Sequence, residues 1–314
     1  MKRTRFFLWL SVIVFLLFGG NGFLNAAPTE QESTLTGTFT ILWGDPKPDS
    51  NLQPTLNYHV TDARGNLTEV LLEEAIARAA GGVFALDRQR VTFIGTMVAR
   101  PQGDRQPALF RVQTILSTET ISSPTLTGAQ PWISIGCKFA DISEEPQTLA
   151  YLQNMYKSDY PGLDHYWREL SYDNINLNGS NAVAWYTLPH PKTYYTNSDG
   201  SWNLGLTAND CTQVADADIF FPNYSGINLM VNGEIGWAAW GTAGYPLTRD
   251  GVSRTYPMTW FPPWGYWDIA VVEHEMGHGF GLPHSSGDYG SVYDNQWDVM
   301  SNLSANCDRS YDEV

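Results

Sequence analysis

The chain has 314 residues, with 33 acidic residues against 18 basic ones, so its formal net charge is −15. This charge repels nucleic-acid phosphates and anionic membrane surfaces, and it argues against both as partners. The length allows two domains of ordinary size, and no internal repeat is visible.

The N-terminus has the three parts of a secretory signal peptide. A basic segment at 2–5 precedes an apolar run at 6–18, and 25–27 supplies small residues for cleavage. Because a membrane span needs about 20 apolar residues, this short run favours a cleaved signal peptide over residues 1–27, with an uncleaved anchor as the alternative. We therefore expect a secreted, extracellular protein without stable membrane association after signal cleavage.

Residues 28–116 predict a small all-β domain, either a barrel or a sandwich, because apolar residues alternate along short runs. The predicted strands cover 39–43, 56–60, 90–98 and 109–115, and a short helix is predicted over 73–80. No cluster in this domain carries obvious chemistry. It could serve as a pro-domain, a binding module or a spacer, and the sequence leaves these roles open.

A segment rich in serine, threonine, proline and glycine follows at 117–130 and predicts a linker. Exposed polar linkers are where proteolytic nicking concentrates, so a processing site is plausible here. We place the domain boundary in this segment.

From residue 131 the pattern mixes strands with helices, which predicts an α+β domain over 131–314. The predicted strands cover 132–139, 227–231, 235–242 and 255–261, and the predicted helices cover 148–156 and 163–170. A further helix, with Asp268 as its N-cap, is predicted to carry the motif described next.

An H-E-x-x-H-x-x-G-x-x-H motif begins at His274 and ends at His284. His274 and His278 are four residues apart, so a helix places both on one face, within about 2.1 Å of one zinc ion. Gly281 accepts the positive φ that lets the chain leave the helix and bring His284 back. Three protein ligands with an open fourth position are typical of a catalytic zinc site, and Glu275 would face that position. The alternative is a buried helix whose histidines only pack.

The motif resembles that of the metzincin zinc endopeptidases, and Met300 stands where that clan has a tight methionine-containing turn. Within the clan, the chain most resembles gametolysin-type peptidases and their bacterial immune-inhibitor-A-like relatives, over about residues 131–304. The shorter segments that carry this resemblance are 137–141, 170–172, 185–189 and 293–300.

The resemblance implies one catalytic zinc ion and a role for each residue of the motif. The expected ligands are His274, His278 and His284. Glu275 would be the general base, which takes the proton of the attacking water. Met300 would be a hydrophobic floor beneath the histidines, and Gly281 would form the turn at the helix exit.

The resemblance also concerns the substrate. It implies that the strand near 236–241 is an edge strand that pairs with an extended peptide. A metzincin domain continues into a further helix after the methionine turn, so we expect the domain at 131–314 to be truncated at its C-terminus.

Three acidic residues between His284 and Met300 are candidates for supporting the zinc ligands. Asp288, Asp294 or Asp298 could accept the free N–H of a histidine ring, as carboxylates often do around zinc. They could equally be solvated loop residues or ligands of a Ca²⁺ ion.

Three cysteines are present, namely Cys137, Cys211 and Cys307. An export route permits disulfides, and one pair with one free thiol is an option, but the sequence does not choose the pair. Residues 28–136 contain no cysteine, so latency based on a cysteine in a pro-segment is not expected.

The sequence thus predicts a secreted zinc endopeptidase that hydrolyses extracellular proteins or peptides. The alternative is a secreted binding or adhesion protein with a zinc-stabilised domain and no proteolysis. A zinc hydrolase that acts on a non-peptide amide is a third hypothesis. The oligomeric state is left open.

Overall fold

The structure is a computed structural model, and strands predominate in its mixed α/β architecture. It describes residues 31–48, 50–121, 125–285, 295 and 298–301. The predicted signal peptide lies outside these ranges. Among the helices in them, none is long and apolar enough to cross a bilayer.

The first five strands close into a barrel. They are β1 (Glu32–Pro46), β2 (Thr55–Thr61), β3 (Leu67–Leu71), β4 (Arg90–Val98) and β5 (Ala108–Glu119), with short helices α1 (Glu74–Ala79) and α2 (Val83–Leu86) between β3 and β4. The hydrogen-bonded order is β1-β2-β3-β5-β4 and back to β1. Of the two architectures considered for this segment, the strands form the barrel. Its interior is filled by buried residues such as Phe39, Phe93 and Phe110.

The second half of the chain forms a mixed sheet with helices packed on it. Its strands are β6 (Gly128–Ala129), β7 (Trp132–Lys138), β8 (Ile175–Asn176), β9 (Asn181–Thr187), β10 (Gly226–Val231), β11 (Ala238–Arg249) and β12 (Val252–Phe261). Its helices are α3 (Leu149–Asn154), α4 (Leu163–Leu170), α5 (Leu204–Ala215), α6 (Pro263–Trp267) and α7 (Ile269–Gly279). Strands β12, β10, β7 and β9 are parallel, while β11 is antiparallel to β12. The short strands β6 and β8 pair separately.

Strand β1 belongs to both halves. It pairs with β4 up to Thr38 and with β2 up to Gly44, and from Leu42 onward its other edge pairs with β11. The register runs from Leu42 opposite Thr242 to Pro46 opposite Ala238, in antiparallel orientation. The barrel and the mixed sheet therefore share one ten-stranded sheet. The domain boundary at 117–130 remains a prediction.

A disulfide joins the central sheet to α5. Cys137 on β7 is bonded to Cys211, with a Cα–Cα distance of 5.8 Å. Both residues are fully buried in the core. Cys307 lies outside the described residues.

Replacing Cys137 and Cys211 by alanine is expected to lower the free energy of unfolding by about 4 kcal/mol. The bond closes a loop with a sequence separation of 74, and this is roughly the chain entropy that such a loop removes from the unfolded state. Urea denaturation of the double variant and of the wild type, with and without reductant, measures the loss. Cys307→Ala is the control and should keep the wild-type midpoint. A double variant as stable as the oxidised wild type would contradict the assignment.

Candidate metal centre

Helix α7 carries most of the motif and lies entirely in the core, with all its residues buried. It begins as predicted, because Asp268 Oδ1 accepts a hydrogen bond from the Ala270 N–H at 3.0 Å. It ends at Gly279, and Gly281 follows with φ +86°, a conformation that L side chains rarely adopt. The sequence predicts this positive φ at Gly281.

The three histidines of the motif point their Nε2 atoms at one place. His278 Nε2 lies 3.1 Å from His274 Nε2 and 3.2 Å from His284 Nε2. A fourth donor comes from the barrel strand: Asp45 Oδ1 lies 2.9 Å from His284 Nε2. Asp45 Oδ2 lies 3.4 Å from His274 Nε2 and 3.3 Å from His278 Nε2.

These separations fit a tetrahedral metal ion. Zinc binds histidine nitrogen and carboxylate oxygen at about 2.0–2.1 Å, so tetrahedral geometry places the ligand atoms about 3.3 Å apart. The measured distances around His278 Nε2, from 3.1 to 3.3 Å, are close to that value. Three imidazoles also suit zinc better than calcium, which prefers an all-oxygen set of ligands.

Backbone carbonyls hold two of the rings in place. His274 Nδ1 lies 2.5 Å from Val299 O, and His278 Nδ1 lies 2.8 Å from Leu282 O. A carbonyl partner fixes the proton on Nδ1, so Nε2 is free to bind a metal.

The acidic candidates for this supporting role are differently placed. Asp298 Oδ1 accepts a hydrogen bond from the Met300 N–H at 2.9 Å, so this carboxylate caps the methionine turn. The Nδ1 atoms of His274 and His278 therefore contact backbone carbonyls and not the carboxylate of Asp298. Asp288 and Asp294 lie outside the described residues, and so does any calcium site that needs them.

Met300 packs against the histidine-bearing helix. Its side chain is 4% exposed, and a Cβ built on Gly277 would lie only 2.3 Å from Met300 Sδ. Glycine at this point of α7 therefore lets the methionine approach the helix between the turns that carry His274 and His278. The close fit explains why a small residue stands inside the motif.

Glu275 is the buried carboxylate next to the first histidine. Both its oxygens lie away from solvent and have no hydrogen-bond partner among the described residues. The side chain faces β11, because a Cβ built on Gly241 would lie 2.9 Å from Glu275 Oε2. Burial, and then the negative charge of Asp45, raise the pKa of Glu275 well above its ordinary value. An unpartnered carboxylate of this kind has no evident structural purpose.

Asp45 and His278 have pKa values that suit metal binding. Burial would raise the pKa of Asp45, but the charge of His274 and the close approach of the three histidines outweigh it and hold that pKa well below its ordinary value. Burial lowers the pKa of His278 to about 4. At neutral pH the site thus offers an ionised carboxylate and a neutral imidazole, which are the forms that bind zinc.

Trp43 covers the cluster from the barrel side. Its ring stacks on His278 with centroids 4.5 Å apart and planes 2° apart, and it meets His284 edge-on at 4.7 Å. It also stacks on Phe84, with ring centroids 5.6 Å apart. The sequence predicts a barrel strand at 39–43 but gives no sign that Trp43 and Asp45 belong to the site.

The comparisons with known proteins leave the family open. No protein-family model matches the chain, and no curated protein matches it. The resemblance to the metzincins therefore rests on the motif, and we infer the function from the geometry of the site.

Proposed function

We propose that the chain is a secreted zinc-dependent endopeptidase. One observation carries the proposal: the Nε2 atoms of three motif histidines converge at tetrahedral spacing beside a buried carboxylate that has no hydrogen-bond partner in the described part of the chain. The ligands would be His274, His278 and His284. The methionine floor and the mixed sheet with its histidine-bearing helix support the metzincin interpretation.

Zinc, when bound, would polarise the scissile carbonyl and lower the pKa of the attacking water to roughly 7. Glu275 then has a clear task. It would take the proton of that water during attack on the peptide carbonyl and pass it to the leaving amine. The carbonyls of Val299 and Leu282 would hold the rings of His274 and His278 in place during the reaction. No side chain would form a covalent bond to the substrate.

The substrate would be an extended peptide, because β11 passes directly beside Glu275. Gly241 on β11 faces this carboxylate, so a peptide paired with β11 at this point would present its backbone to Glu275. Main-chain pairing gives affinity with little preference for sequence. Protein or peptide substrates are therefore the expected partners.

A second candidate function is a zinc-stabilised binding protein, and Asp45 favours it. With Asp45 included, the site has four protein donors within 4.8 Å of one another, and closed four-ligand sites are typical of structural zinc. The unpartnered carboxylate of Glu275 favours the enzyme, because a structural site has no need of it.

Zinc content and proteolysis of the same preparation test the proposal. We expect about one zinc per chain and cleavage of unfolded casein that a chelator stops and added zinc restores. Because Asp45 occupies the fourth position, the assay is run on the wild type and on Asp45→Ala. Hydrolysis of a non-peptide amide is measured in the same assay and tests the third hypothesis, a zinc hydrolase that acts on such amides. Bound zinc without hydrolysis of any amide in either protein would refute the enzyme and favour the binding protein.

A further inference from the structure

The edge of β11 that a substrate would use is already taken by the protein's own chain. Residues 42–46 of β1, here called the covering strand, pair with β11 in antiparallel register. Trp43 lies opposite Gly241, the residue that faces Glu275. The prediction that the strand near 236–241 is an edge strand is therefore wrong, because β1 pairs with that edge.

The covering strand also fills the position that water and substrate would need. Asp45 is fully buried, with both oxygens directed at the three histidine nitrogens. His274, Glu275 and His278 have no exposed surface at all. With zinc bound, Asp45 would complete its ligands, and no position would remain for a substrate carbonyl.

Contacts with the barrel and with β11 anchor the covering strand at this place. The Thr242 hydroxyl donates a hydrogen bond to Ile41 O at 2.9 Å, and the Ile41 N–H donates to Asp87 Oδ1 at 3.1 Å. Arg88, next to Asp87, donates a hydrogen bond to Gly281 O at 3.3 Å. This bond joins the barrel to the turn that follows α7. These contacts and the pairing with β11 hold the covering strand over the histidines in the folded protein.

We propose that the barrel is an inhibitory pro-domain, whose covering strand keeps the peptidase latent through Asp45 and Trp43. The inference rests on the proposed function and names its regulation. Asp45 takes the fourth ligand position, Trp43 shields two histidines, and the strand occupies the substrate edge. Full activity requires that the strand leaves β11, whereas loss of the Asp45 carboxylate alone opens the fourth ligand position. The exposed residues at 125–129 and at the end of β5 are the expected sites of cleavage.

The test opens the site by substitution and measures access to the metal directly. The full chain is prepared as wild type, Asp45→Ala and Asp45→Ala/Trp43→Ala, each loaded with zinc or with Co²⁺. Binding of a small peptide hydroxamate, a ligand that needs an open metal position, is measured by calorimetry. If the covered state exceeds the open state by 99 to 1, opening should tighten this binding about 100-fold. The Co²⁺ absorption spectrum should change as well, because a carboxylate is replaced by water.

Two further variants protect the result from folding artefacts. Asp62→Ala is the matched control, because Asp62 caps an exposed barrel turn through the Arg64 and Asn66 N–H groups and lies in the same domain. It should bind hydroxamate as weakly as the wild type. Asp45→Asn keeps the shape of the side chain and removes its charge, so it serves if the alanine variants do not fold.

The outcomes separate this inference from the proposed function. Tighter hydroxamate binding by the Asp45 variants supports the inference even if no peptide is cleaved. If hydroxamate binding tightens but no peptide is cleaved, only the peptidase proposal fails. Equal hydroxamate binding and an unchanged Co²⁺ spectrum in wild type and variants would overturn the inference. So would a wild-type chain that cleaves casein as fast as Asp45→Ala.

Discussion

Glu275→Gln is expected to abolish peptide hydrolysis while the protein keeps its zinc. Glutamine has nearly the shape of glutamate but cannot accept the proton of the attacking water. General-base catalysis contributes about 10²–10⁴-fold to rates, so a loss of at least that order in kcat is expected. The assay is made in the Asp45→Ala background, where the fourth ligand position is open, and zinc is measured on the same sample.

Glu273→Gln is the matched control for this result. Glu273 lies on the same helix, two residues before Glu275, and it is equally buried. It should retain activity within a few-fold, because it precedes the motif and has no proposed role in binding zinc or moving the proton. Full activity in Glu275→Gln would remove the general base from the proposed mechanism. Loss of zinc from this variant would instead show that Glu275 supports the metal site.

The sequence predicted the local part of the site because its geometry follows from one helix and one turn. The spacing of His274 and His278 and the positive φ of Gly281 are properties of neighbouring residues, and periodicity shows them directly. Helix α4, at Leu163–Leu170, was confirmed for the same reason, since its apolar residues recur at helical spacing.

The missing part of the site depends on pairing between distant strands. Asp45 comes to the histidines only because β1 pairs with β11, and no local pattern encodes that register. The strand predicted at 235–242 also differs from β11, which begins at Ala238 and continues to Arg249. Its register against β12 shifts between Thr242 and Tyr245, and most residues beyond this shift are only partly buried, so the apolar pattern does not show that the strand continues.

Helix α5 was missed for a compositional reason. Its buried face consists largely of small residues, including Ala208, Cys211 and Ala215, which give a weak periodic signal beside threonine and asparagine. Its place in the core comes from packing and from the disulfide to β7. Tertiary contacts therefore decide this helix more than intrinsic propensity does.

His278→Ala is expected to have the largest effect on metal binding, because His278 is central in the cluster. Its Nε2 is within 3.3 Å of donor atoms on His274, His284 and Asp45. Loss of partners that merely orient zinc ligands already costs about 10–100-fold in affinity, so loss of this ligand should cost more than about 100-fold. Zinc titration monitored by calorimetry measures the change.

The same variant should lose the stabilisation that zinc gives to the fold. A ligand that binds only the folded protein stabilises it by an amount set by its concentration over its Kd, so a weaker site yields a smaller rise in Tm at fixed zinc. His165→Ala is the control, because His165 is half-buried on α4, where its Nδ1 lies 3.8 Å from Glu169 Oε2, and it does not belong to the histidine cluster. It should keep the wild-type affinity and the zinc-dependent rise in Tm. If His278→Ala bound zinc as the wild type does, the metal would have to lie elsewhere, and both the catalytic role of Glu275 and the inhibitory role of Asp45 would lose their basis.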